Sequence, residues 1–97
     1  MITVKLHLSA DTRVNQVLET HHFVKQIEVK QVPRQGERIE IRGKQSTIHP
    51  TVCSVLWYIE SHGATVGLQM TRPLISVEID AIYDAGWEKF TNTPPTP

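Results

Sequence analysis

Apolar and polar residues alternate cleanly at the start of the chain. In "ITVKLHL", Ile2, Val4, Leu6 and Leu8 fall on one side and Thr3, Lys5 and His7 on the other, as in a half-buried strand. "HHFVKQIEVKQV" returns to that period with Phe23, Ile27 and Val29 on one face. After Pro33 and Gly36, "ERIEIRG" resumes it with Ile39 and Ile41 inward. "TVCSVLWYIE" is dense in β-branched and aromatic residues and reads as a central strand; "ATVGLQMT" and "LISVEID" follow as two more. "SADTRVNQVLET" fits either a short helix, through Val14, Val17 and Leu18 with Asp11 as cap, or an ordered loop. From Asp80 the spacing changes: Ile82, Tyr83, Trp87 and Phe90 share one helical face and Asp80 is placed to be the N-cap. A strand continuing through Tyr83 is the rival.

The second half gives a consistent set of pairings. A two-residue turn at His62-Gly63 sets Ile59 opposite Val66, Trp57 opposite Leu68 and Val55 opposite Met70. A second fold at Arg72-Pro73 sets Met70 opposite Ile75, Leu68 opposite Val77 and Val66 opposite Ile79. A slip of one residue would reverse every face. The expectation is a meander of residues 52–60, 64–71 and 74–79 with Trp57 buried. Val52, Leu56 and Tyr58 then point away from that core, with Tyr58 above Gly67. The predicted fold class is mostly β (β to α+β): a six-stranded, mainly antiparallel small SH3-like barrel or curved sheet with a short C-terminal helix. Residues 1–90 form one small-barrel domain, and "TNTPPTP", 91–97, is a disordered Pro-rich tail.

"VPRQGERIEIRG" concentrates charge around two isoleucines, which raises the question of a phosphate loop. Its glycines are too far apart, and Lys44 is followed by Gln45 where such a loop needs a hydroxyl. A hairpin explains more. Pairing Val29 with Ile41 buries both and places Lys30 opposite Glu40 and Glu28 opposite Arg42; pairing Val29 with Ile39 opposes like charges. "VPRQGERIEI", with "VCSVLWYIE" and "ATVGLQM", resembles a strand–"PRxGE"–strand–"VxxV" pattern of small uncharacterised bacterial β-barrel proteins, some encoded on mobile gene cassettes. The resemblance spans Val29 to Met70 and implies a small barrel without an assigned activity.

Length and charge then narrow the function. At 97 residues the chain holds one domain with a thin core. Net charge is zero, but residues 1–50 carry eight Lys/Arg against five Asp/Glu (+3), and residues 51–97 carry two against five (−3). That asymmetry suits self-complementary association and is too small to demand nucleic acid. Cys53 is the single cysteine, so no internal disulfide forms and a cytoplasmic location is expected. The N-terminus lacks the pattern of a signal peptide, and no apolar run is long enough to span a membrane.

No constellation points to catalysis. His21 and His22 would face opposite sides of a strand, and His7, His49 and His62 show no ligand spacing with Cys53, so no metal or cofactor is expected. Cys53 falls on the inward face as a small hydrophobe. The surfaces singled out for interaction are Leu56 and Tyr58, on the second face of an apolar strand, and the basic set Arg34, Arg38 and Arg42. The expected function is that of a non-enzymatic cytoplasmic interaction or adaptor protein, with a homodimer as one partner arrangement. A single-stranded nucleic-acid-binding barrel is the first alternative, not favoured because outward aromatics and arginines lie on different strands. A small-molecule-binding or catalytic barrel is the second.

Overall fold

The computed structural model describes residues 1–58, 60 and 62–90; Ile59, Ser61 and the segment 91–97 lie outside the described residues. The first strand runs well past its clean alternation, and the second begins and ends earlier than expected. β1 (Ile2–Val14) and β2 (Val17–Val29) form one antiparallel hairpin, paired from Ile2↔Val29 to Val14↔Val17. The ambiguous stretch around Val14 is its tip. Asn15 and Gln16 both have positive φ (51° and 66°), as a two-residue I′ turn requires. That backbone matches the twist of the flanking strands, so neither helix nor loop forms there.

The inward faces follow the sequence pattern. Val4, Leu6, Leu8 and Ala10 of β1 are buried, as is Phe23 of β2, with Ile27 and Val29 packed against the same cluster. β3 (Ile41–Arg42) and β4 (Thr47–Ile48) form a separate two-stranded sheet, and β5 (Thr51–Tyr58) and β6 (Gly63–Gln69) pair antiparallel. α1 spans Ser76–Asp84 and β7 spans Glu88–Lys89. The main sheet has the order β5-β6-β1-β2-β7, with β1 and β6 parallel.

The protein is thus mostly β with one short helix, but the expected six-stranded barrel is corrected. The sheet is mixed, five-stranded and open, because β5 and β7 at its ends do not pair among the described residues. The extents of the molecule, 45 × 40 × 22 Å, suit a sheet with one covering layer. The other face carries Thr3, Lys5, His7 and Ser9 from β1, alternating with the buried positions.

The hairpin expected around Pro33–Gly36 is also corrected. β2 is already paired with β1, so Ile41 pairs with Ile48 rather than Val29. The turn itself forms: Glu37 N–H donates to Arg34 O (3.1 Å), Arg34 N–H to Glu37 Oε1 (2.6 Å), and Gly36 has φ 91°. The chain leaving it runs along the start of β5, with Gly36 N–H on Val52 O, Val52 N–H on Glu37 O and Ile39 N–H on Pro50 O. Lys30–Glu40 and Glu28–Arg42 therefore do not meet. Arg42 bonds Glu40, just ahead of its own strand, instead (2.8 Å).

The third strand of the meander, 74–79, is a helix start. Ile75, Val77 and Ile79 alternate, but Glu78, Ala81 and Ile82 have helical spacing and are the residues α1 buries. Ile75, not Asp80, is the N-cap, and Gly86 (φ 89°) follows the C-cap Ala85. Trp87 and Phe90 consequently lie beyond the helix: Trp87 is buried, Phe90 exposed.

Glu78 explains the helix start. Its carboxylate accepts from Ile75 N–H (3.1 Å) and, in a two-pronged pair, from Arg72 (2.7 and 2.5 Å). Hydrogen bonding from Arg72, partly opposed by burial and aided by the Ile75 N–H, holds the Glu78 pKa below the ordinary 4.5. The unfolded chain therefore binds the proton more readily. The resulting stabilisation is complete above about pH 4.5 and is lost as pH falls through the lower folded value. Arg72→Gln should flatten that acid-side loss in denaturant midpoints taken from neutral pH to about pH 3. An unchanged slope would show that the pair does not set it.

Candidate interaction surface

β5 changes face along its length. Val52 pairs with Leu68, but Ser54 pairs with Gly67, so Cys53 is an extra residue at a bulge. Before the bulge Val52 is buried; beyond it Val55 and Trp57 point to the inner side, and Leu56 and Tyr58 to the open face. Cys53 is exposed rather than inward. Opposite the bulge, a Cβ added at Gly67 would strike Ser54 Oγ, so a side chain fits there only if that hydroxyl moves.

A longer connection, closing at Tyr58↔Gly63 instead of at a two-residue turn, also moves the register. Val55 faces Val66 rather than Met70, and Trp57 faces Ala64 rather than Leu68. Tyr58 lies opposite Gly63 and its hydroxyl shares a hydrogen bond with Thr65 (2.7 Å); it is not above Gly67. His62, with φ 52°, takes the left-handed position expected of Gly63, which belongs to β6. Trp57, expected in the core, is 55% exposed because it lies at the end of the sheet, over small residues.

Leu56 (59% exposed), Trp57 and Tyr58 (44%) thus form an uninterrupted apolar run at the end of an edge strand. The segment 36–38 covers that edge only at Thr51 and Val52. From Cys53 to Tyr58 its outer backbone groups have no partner strand among the described residues. On the inner side, Trp57 and Val55 border a groove of about 500 Å³ with Lys30, Val32 and Arg34 on its other wall. Among the described residues no carboxylate lines it.

Of the basic residues singled out, the structure brings only Arg34 to Trp57. Arg38 is bridged to Thr51, and Arg42 is held by Glu40 on the separate small sheet. Lys30 and Trp57 were missed as site residues. Ala64, the residue opposite Trp57, was the available signal, since it offers a tryptophan little to pack against.

The histidines expected to stand apart are placed as follows. His21 Nε2 lies 2.9 Å from Thr12 Oγ1 and 3.7 Å from Glu19, so hydroxyl and carboxylate share one ring nitrogen and no relay through the imidazole exists. His22, on the opposite face as expected, meets His7 and Ser9 at 3.2 Å. Burial, then His22 and Lys5, lower the His7 pKa below its usual value. Among the described residues no three His, Cys, Asp or Glu side chains are grouped to hold a metal ion, and no helix is long and apolar enough to cross a membrane. Comparison of the chain with protein-family models, curated proteins and solved structures gives no match.

Proposed function

We propose that this is a non-enzymatic interaction protein of the cytoplasm that accepts an extended segment of a protein partner on the free edge of β5. The observation that carries this reading is the coincidence of unpaired strand edge and exposed apolar run at Leu56, Trp57 and Tyr58. An edge of this kind is a template for a further strand: main-chain bonds give affinity, and alternate side chains give selectivity. Cys53, exposed and unpaired, fits a reducing compartment.

Without a partner, the same edge can take a second copy. Antiparallel pairing about Leu56 sets Leu56 against its own copy and Val55 against Trp57, apolar beside apolar around a two-fold axis, with Ser54 against Tyr58 flanking them. Few residues take part, so the dimer should appear only at high micromolar concentration. Sedimentation of the wild type should show it, and Tyr58→Glu should return the monomer mass. A wild-type monomer across that range would remove self-pairing.

Single-stranded nucleic acid is the second reading, favoured by Trp57 lying in one groove with Lys30 and Arg34. A stacking platform uses successive aromatics along a basic track. Here Tyr58 lies on the opposite face from Trp57, so the groove offers a single ring.

A further inference from the structure

We infer that the strand accepted by β5 carries acidic side chains at the alternate positions that enter the Trp57 groove. This rests on the strand-addition reading and specifies the partner. Side chains of an added strand alternate between the two faces, about 6.6 Å apart on each face. One set passes over the open face, against Leu56 and Tyr58. The other enters the groove bordered by Val55, Trp57, Lys30 and Arg34.

The groove's chemistry is one-sided. Neither Lys30 nor Arg34 has an ion pair among the described residues, whereas Arg42 and Arg72 each do. The Arg34 backbone is fixed by the turn, through its N–H on Glu37 Oε1, so the base of that side chain is positioned before any partner arrives. Trp57 supplies an apolar wall that lowers the local polarity and strengthens attraction between the cations and an incoming carboxylate. A second copy does not meet this demand. β5 would deliver Val55 and Trp57 to the groove, no acid, and would set two cationic grooves beside each other. The complementary sequence is therefore an alternation of aliphatic residues with Asp or Glu, the acids on the groove side.

Dye-labelled eight-residue peptides alternating valine with glutamate, glutamine or lysine test this by fluorescence polarisation on the full chain. The glutamate peptide should bind at least tenfold more tightly than the glutamine peptide at low salt, with the gap narrowing as salt rises. The double variant Lys30→Glu/Arg34→Glu should reverse the order and favour the lysine peptide. N-methylation of alternate peptide nitrogens, which removes strand bonds and leaves charge intact, should abolish binding. Equal binding of glutamate and glutamine peptides, lost on N-methylation, would overturn the acidic partner and leave the β5 edge as the site. Binding that survives both N-methylation patterns, or no binding by any peptide, would overturn the edge as well. A thymidine octamer that displaces the glutamate peptide at lower concentration would assign the groove to nucleic acid instead.

Discussion

Phe23→Ala should cost the fold about 3–5 kcal/mol, the range for emptying a large aromatic site in a core. Phe23 is 1% exposed on the inner face of β2, opposite Leu8 and beside β7, with the Tyr83 ring edge-on at 5.6 Å. It ties three elements together: the long hairpin, the helix and the last strand. Typical domain stability is only about 5–15 kcal/mol, so this one change consumes a large part of it. Trp57→Ala, the substitution the sequence pattern would rank as most damaging, should cost clearly less, because more than half of that side chain already meets solvent. Denaturant midpoints of the two variants decide. A Trp57→Ala loss equal to that of Phe23→Ala would place Trp57 in the core after all, and the groove would then not exist.

Gly43→Val should be comparably disruptive for a different reason. Gly43 is where the small β3–β4 sheet touches the helix, and a Cβ there would fall on the Cα and Cβ of Ala81. Backbone cannot swing aside as a side-chain end can. The helix must move off the small sheet or that sheet must lift from the core, which also carries Ile41 and Ile48. Overfilling a packed site typically costs about 1–3 kcal/mol and more when backbone must shift. Because Ala81 Cα is itself in the way, adding Ala81→Gly should restore only part of the loss. Gly67→Ala makes the contrast: its obstacle is the Ser54 hydroxyl, so Gly67→Ala with Ser54→Ala should recover most of the stability. Full rescue of Gly43→Val by Ala81→Gly in thermal melts would show that the helix approaches less closely.

The sequence by itself determined the local periods. Alternation identified the inward faces of β1 and β2, because a face repeating every second residue can be buried in only one orientation. It also set Leu56 and Tyr58 on the face opposite Trp57, though not Val52, and gave β character to residues 52–60 and 64–71, where the strands run Thr51–Tyr58 and Gly63–Gln69. What it left open was which strand neighbours which, and charge complementarity gave the wrong answer for Val29. Glu28 and Lys30 choose between registers only by some tenths of a kcal/mol, while thirteen-residue pairing with β1, closed by a tight turn at Asn15-Gln16, satisfies the whole β2 backbone.

Two decisions belonged to the tertiary structure alone. Residues 75–79 satisfy a strand period and a helix period together, and the Arg72–Glu78–Ile75 network, with Gly43 making room for Ala81, selects the helix. The bulge at Cys53 is the other. One inserted residue reverses the faces at the start of β5, which buries Val52 and exposes Cys53, while closure at Tyr58↔Gly63 moves Trp57 from Leu68 to Ala64. Periodicity cannot record an inserted residue, because the pattern on either side of it stays regular. The groove between Trp57 and Arg34 exists through that displacement, so it became visible only once the strands were paired.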